Sequence, residues 1–460
     1  MDGIGDIAGF LKSIWYEKYA PLIIVLFYGL VLVLIGFADF YRIITLTIIL
    51  ILVLICWCFS YKLPVCPNGK IGILFALGTE NLNQKNTLKS KLFNIYEGLL
   101  ANSKYYSDFK VIYLKAHHVN NINVNKMKNP SYAEKILLKT KTRLCIFGSC
   151  ISGNIKEFEN MTIELNGVVL HKPIPDKLRQ QLSTEFGSLL SQKNYIPNND
   201  DILHFEILSE QLELTTKYII GIAFFLSEYL VLAKNIFEDI SLELSKEKRN
   251  ISVINLIKSR NPVRLYEVYR ALAAIYYEQY RVNKDINLLR IMDDYLERMN
   301  NQIPDTYDYH LNKALYCFLT ERNIKKAKEH VKQCKGNSDA GWRYSDAFLD
   351  TYQGKLLSAY SKYCKAFKYG YNIISIFNIE EFIKDILEIE AGKFNLYFAL
   401  GLINYYYKRD LVLAYSDFKK FIESTVDCCP EQISIIVSEI MTKILDCDDY
   451  LITVEQVASA

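Results

Sequence analysis

The sequence predicts a multidomain protein with three parts: an N-terminal transmembrane helical hairpin, a small α/β domain with a mixed sheet, and an all-α C-terminal solenoid of helical repeats. Three observations predict it. Two uncharged apolar runs, at about 21–38 and 43–60, stand four residues apart. After Pro64, short apolar runs alternate with segments of helical spacing. Beyond residue 210, alanines recur at a fixed offset inside long helical patterns. The boundaries that follow are 1–62, 68–205 and 210–460. At 460 residues the chain exceeds one compact domain, so a division into two or three is expected.

The first run reads PLIIVLFYGLVLVLIGFA and the second IITLTIILILVLICWCFS. At 1.5 Å rise per residue each nearly crosses the ~30 Å hydrocarbon core of a bilayer. Only Asp39, Phe40, Tyr41 and Arg42 connect them, which forces an antiparallel hairpin. Trp15, Tyr16 and Tyr19 precede it and Trp57 and Tyr61 close it, the places where aromatic rings settle among headgroups. Gly36-Phe37-Ala38 satisfies a small-x-small cleavage rule, but the second apolar run follows at once and would anchor the chain in any case. Lys12 and Lys18 before the hairpin, with Lys62 and Lys70 after it, outnumber the single Arg of the loop. That asymmetry predicts a cytoplasmic N-terminus and cytoplasmic soluble domains. High Ile, Lys, Asn and Tyr usage suggests a bacterial, AT-rich source, hence an inner membrane.

Charge and cysteine usage narrow the soluble part. Lys and Arg number 54 against 51 Asp and Glu, so no long-range basic field exists and no nucleic-acid partner is expected. The 11 cysteines form no C-x-x-C pair, which predicts reduced thiols in a reducing compartment. His117 and His118 are neighbours without a second pair of ligands, so no metal is expected, nor any other cofactor. Asp200-Asp201 lies in a polar loop with no metal-ligand context, and no catalytic constellation emerges.

Residues 71–77 (IGILFAL) form an uninterrupted apolar run, the pattern of a strand covered on both faces. Thr87 to Leu100 has helical spacing, Phe109 to Leu114 reads as a strand, Tyr132 to Lys139 as a helix and Arg143 to Phe147 as a strand. Met161–Leu165 and Val168–His171 are expected to pair as a hairpin around Asn166-Gly167. Gly148-Ser149-Cys150-Ile151-Ser152-Gly153 is expected to be a turn, since its spacing is not that of a nucleophile elbow. Leu77-Gly78-Thr79-Glu80 is expected to be a plain turn after the first strand. The opening strand, the helix after it and the segment TRLCIFGSCISGN followed by MTIELNGVVL resemble the TolB-like N-terminal domain over roughly 70–175. Leu144, Gly148, Ser149, Ser152 and Gly153 carry the resemblance, which implies a binding or scaffolding module more than an enzyme.

Four segments of the C-terminal half align, at 217–237, 311–331, 343–363 and 398–418. Each places an alanine at the same position (Ala233, Ala327, Ala359, Ala414) and a larger residue four later (Phe237, Val331, Tyr363, Phe418). Twelve residues before the alanine stand Gly221, Leu315, Ala347 and Leu402. Small residues where two helices cross, with bulky ones beside them, let the axes approach closely. The pattern resembles the tetratricopeptide repeat. Ala327 and Ala359 are 32 residues apart, near that family's ~34-residue period. Ala359 and Ala414 are 55 apart, leaving room for an inserted helix pair at about 372–390, and Tyr269 to Tyr277 opens a more divergent pair.

The resemblance implies that the first helices of the pairs line a groove. The positions beside the packing residues there are Tyr218, Phe225, Asn312, Tyr316, Tyr344, Phe348, Tyr352, Ile403, Tyr406 and Tyr407. Such tyrosine-rich walls suit a peptide or helix. The expected function is a membrane-anchored cytosolic scaffold or adaptor that binds a protein partner in that groove, with possible self-association. The alternative is a ligand- or partner-gated two-helix effector, as in bacterial anti-phage immunity, that oligomerises and perturbs the membrane.

Overall fold

A computed structural model of the chain describes residues 15, 19–35, 40–79, 109–115, 118–119, 122, 126–127, 129–155, 158–170, 176–190, 194–197, 214–215, 217–339, 341–369, 373–425 and 429–447. The described part is mostly helical, with a small mixed sheet. The chain divides into two compact units, 1–264 and 265–460.

The first unit opens with helices α1 (Ala20–Ile35) and α2 (Phe40–Tyr61), which pack on each other. Tyr28 and Thr47 hydrogen-bond across that contact at 2.6 Å, and the Thr47 hydroxyl also reaches the Ile43 carbonyl. The outer faces remain bare: Leu22, Leu26, Phe27 and Val33 of α1 and Ile48, Leu52 and Phe59 of α2 are exposed. Residues Ile43–Tyr61 are long and apolar enough to cross a membrane, and the apolar stretch of α1 is shorter.

The sheet follows, with β1 (Ile71–Thr79), β2 (Phe109–Tyr113), β3 (Leu144–Ile155), β4 (Phe158–Val169) and β5 (Asn194–Pro197) in the order β2-β1-β3-β4-β5. β1 runs parallel to β2 and β3, and β4 is antiparallel to both β3 and β5. The apolar run of β1 is explained by its central place. Leu74 and Ala76 join Cys145 and Phe147 against Ala133, Ile136 and Leu137 of α3 (Pro130–Thr140), while Ile73 and Phe75 on the opposite side are buried too. Asn129 caps α3, accepting from the Tyr132 amide, and Pro130 opens it, where a missing N–H costs nothing.

Three expectations fail here. Asn166-Gly167 is no turn: Asn166 pairs with Phe147 and Gly167 with Ile146 inside an unbroken twelve-residue ladder from Leu144↔Val169 to Ile155↔Phe158. Gly148 to Gly153 is strand as well, since Gly148 pairs with Leu77 on one side and Leu165 on the other. The β4 ladder along the whole segment, joined by β1 as far as Cys150, pairs its backbone groups and overrides local turn preference. Thr79 likewise ends β1 rather than a turn. The helix expected at Thr87 to Leu100, together with His117, His171 and Asp200-Asp201, lies outside the described residues.

Helices α4 (Asp176–Leu190), α5 (Lys217–Leu226), α6 (Leu230–Lys246) and the start of α7 (Ser252–Asn283) complete this unit. Glu185 of α4 accepts from Arg264 of α7 at 2.7 Å, both side chains 2 % exposed, and from the Tyr218 hydroxyl of α5. Burial, reinforced by the Glu185 charge, pushes the Tyr218 phenol upward, so it stays a donor. Removing one partner of such a pair costs about 3–5 kcal/mol, because the other charge is left buried alone.

The second unit continues α7 and adds α8 (Ile286–Gln302), α9 (Tyr307–Glu321), α10 (Ile324–Gln333), α11 (Gly341–Tyr352), α12 (Leu356–Tyr369), α13 (Ile373–Ile389), α14 (Asn395–Leu402), α15 (Leu411–Thr425) and α16 (Glu431–Leu445). The four aligned segments are all helical hairpins: α5–α6, α9–α10, α11–α12 and α14–α15. Ala233, Ala327, Ala359 and Ala414, with Phe237, Val331, Tyr363 and Phe418, are fully buried. Each hairpin turns through a left-handed residue five positions before its alanine: Glu228 (φ 64°), Arg322 (φ 47°), Gly354 (φ 77°) and Arg409 (φ 58°). Asn323 then caps α10, accepting from the Lys326 amide.

The fourth hairpin departs from the fixed spacing. α14 runs on into a six-residue π-helical segment, Ile403–Lys408, which accommodates one residue more than an α-helix would. The residue facing Phe418 is therefore Gly401, not Leu402: a Cβ on Gly401 would lie 2.6 Å from the Phe418 ring. Gly221 meets Phe237 in the same way in the first hairpin, at 2.7 Å. In place of an inserted helix pair near 372–390 stands the single helix α13, which packs on α11 and α14.

Candidate functional site

In the second unit a cleft of about 330 Å³ opens between the end of α7, α9, α11 and α13. Its floor is aromatic. Phe318 of α9, Phe348 of α11 and Phe382 of α13 meet edge to face, with centroids 5.0–6.0 Å apart. Tyr277, Tyr307 and Tyr344 complete the apolar wall, while Asp308, Asn312, Ser345 and Asn378 supply polar atoms.

Backbone and ion pairs hold these groups in place. The Tyr307 hydroxyl donates to Asp339 at 2.9 Å and accepts from the Trp342 amide, which ties the start of α9 to the start of α11. Gly341 permits that approach, since a Cβ there would stand 2.9 Å from Asp339 Oδ1 and 3.1 Å from the Tyr307 oxygen. Burial raises the phenols of Tyr277, Tyr307 and Tyr344, so all three remain protonated at neutral pH. Asp308 accepts from Tyr266 and Arg270, and Asn312 donates to the Asp308 carbonyl at 2.7 Å.

α13 is fastened across the cleft by charge. Arg281 donates to Asp385 at 2.8 Å and Lys284 joins the same carboxylate. Arg322 and the Tyr352 hydroxyl share Glu390, just past the end of α13, at 2.6 and 2.7 Å. Burial and that carboxylate push the Tyr352 phenol up to about 12. A second titratable pair, His310 Nδ1 and His330 Nδ1 at 3.1 Å, joins α9 to α10 outside the cleft lining. Burial and then His310 lower the His330 pKa, favouring a neutral His330 ring. Among the described residues no group of three or more His, Cys, Asp or Glu is disposed to hold a metal ion.

The ten groove positions expected from the sequence separate into distinct settings. Asn312, Tyr344 and Phe348 line the cleft, and Tyr352 packs beside it on Phe318. Tyr316 is half-buried under the Lys313 ammonium, and Tyr406 and Tyr407 are half-buried on the π-helical segment, Tyr406 near the Tyr360 hydroxyl. Tyr218 and Ile403 are fully enclosed and offer a ligand nothing: Tyr218 is held by Glu185, and the π-helical segment begins at Ile403. Phe225, half-buried, lies with Tyr218 in the first unit. Tyr277, Tyr307, Phe318 and Phe382 were not foreseen as wall residues. Phe382 sits in the 55-residue interval, where no repeat position exists to mark it.

The cleft can seat an apolar or aromatic side chain on the phenylalanine floor, while its amides, hydroxyls and carboxylate meet peptide groups. No protein-family model matches the chain, and no curated protein matches it.

Proposed function

We propose that this protein is a membrane-anchored scaffold that binds a segment of a protein partner in the cleft of its second unit. The cleft carries the proposal. It joins an aromatic floor to polar side chains on helices that ion pairs hold in place, the composition of a peptide-recognition site. The four hairpins, alike in buried alanine and left-handed turn, support a repeat solenoid of tetratricopeptide type. The α/β module before them fits a TolB-like role in binding or assembly.

The two apolar helices, bare on their outer faces, support an anchor of two spans with the soluble parts in the cytoplasm. Anchoring accounts for them better than pore formation. Tyr28 and Thr47, whose hydroxyls a pore would turn toward water, are bonded to each other inside the hairpin.

A photo-crosslinking residue in place of Asn378, exposed at the cleft rim, tests the site in the full chain in its native membrane. One protein adduct is expected, lost when Asn312→Trp fills the cleft. No adduct, or one indifferent to Asn312→Trp, contradicts the proposal.

A further inference from the structure

We propose that the lysine face formed by α10 and α12 docks on an anionic bilayer surface. The inference rests on the membrane anchoring argued above. α10 carries Lys325, Lys328 and Lys332 at intervals of three and four, hence on one face, and Lys335 follows its end. α12 carries Lys362, Lys365 and Lys368 at intervals of three and no acidic residue. The two rows lie side by side because the buried Asp350 of α11 accepts from Lys328 and from Lys362 at once.

That shared carboxylate neutralises only the inner lysines. Lys325, Lys332, Lys335 and Lys365 are exposed and have no carboxylate partner among the described residues, and Glu329 is the exposed acid of α10. The chain as a whole is only +3, so this surface is a local concentration of charge and not a property of the composition.

The chemistry favours lipid. Lysine ammoniums are hydrated point charges that suit a diffuse layer of anionic headgroups, each contributing about a fivefold preference near such a surface. Single-stranded nucleic acid is instead gripped by grooves with aromatic stacking platforms. The exposed positions of α12 other than lysine, Leu357, Ser358 and Ser361 among the described side chains, provide none.

The full chain in nanodiscs tests this, using a short acetylation pulse read by mass spectrometry. With phosphatidylglycerol-rich discs, Lys332, Lys335 and Lys365 are expected to label at least about fivefold more slowly than in pure phosphatidylcholine discs. High salt should erase the difference. Lys393, which sits over the Tyr352 ring, should not change, since Tyr352 is two residues from Asp350 on α11 and faces the other way. A Lys332→Glu/Lys365→Glu variant should lose the protection at Lys335.

Equal labelling in both lipids, with the chain embedded in the discs, overturns the docking and leaves the anchor intact. A chain that elutes apart from the discs overturns the anchor and the docking together. Protection that appears in neutral discs only when single-stranded RNA is added assigns the face to nucleic acid and overturns the lipid assignment.

Discussion

Gly401→Ala tests the packing logic of the aligned hairpins at its tightest point among the described glycines. The new Cβ would lie 2.6 Å from two atoms of the Phe418 ring and 2.9 Å from a third, whereas ordinary contact begins at 3.4 Å. Phe418 is fully buried and abuts Phe398, so the ring has little room to retreat. Overpacking of this kind costs about 1–3 kcal/mol, and the displacement required here belongs at the upper end. Replacing glycine by alanine in a helix returns about 1 kcal/mol, which leaves a net loss of about 2 kcal/mol. Hydrogen exchange of the α14 and α15 amides in the full chain should then accelerate roughly 30-fold. In a Phe418→Leu background the same change should be neutral or stabilising, a coupling of at least about 2 kcal/mol. Unchanged or slower exchange in Gly401→Ala would refute the argument that Gly401 and Phe418 form the crossing point.

Two further substitutions probe the same hairpin. Arg409 holds a left-handed backbone (φ 58°) at the fourth turn, so Arg409→Gly should raise the urea midpoint of the second unit, by an amount equivalent to about 1 kcal/mol. Burial lifts the Asp417 carboxyl from 3.8 to about 6, although Asn404 donates to it at 2.8 Å. The native state therefore keeps this proton between about pH 4 and 6, where the unfolded chain has released it. Stability falls as pH rises through that window and levels off above it, at a loss on the order of 3 kcal/mol. Asp417→Asn should remove this slope from a urea series between pH 4 and 7 and stabilise the protein at pH 7, where its amide can also donate to Asn404 Oδ1, which lacks a partner. Parallel profiles for the two proteins would contradict the assignment.

What the sequence discloses depends on which residues report their own environment. An apolar run such as IGILFAL has the pattern of a doubly covered strand, and β1 is a strand with Ile73 to Ala76 all buried. Buried alanines at a fixed offset reveal helix crossings, and all four lie in hairpins. The turns of those hairpins are hidden because three of their four left-handed residues are Glu228, Arg322 and Arg409 in place of glycine. Asn166-Gly167 and the Gly148–Gly153 segment mislead for the opposite reason, as turn-forming residues held straight by long-range pairing. Asn312, Tyr344 and Phe348 could be placed in the cleft by repeat position. Phe382 could not, because α13 falls outside the aligned segments, and the one-residue shift at Gly401 arises from a π-helical segment that periodicity does not announce.

The claim that α1 and α2 hold the chain in a bilayer is tested most directly by thiol accessibility at Cys56 and Cys58, which lie on the exposed surface of α2. In membranes bearing the full chain, a membrane-impermeant maleimide should leave both thiols unlabelled until detergent is added, and alkaline extraction should leave the chain with the lipid. Prompt labelling without detergent, with release of the chain into the supernatant, would contradict the account.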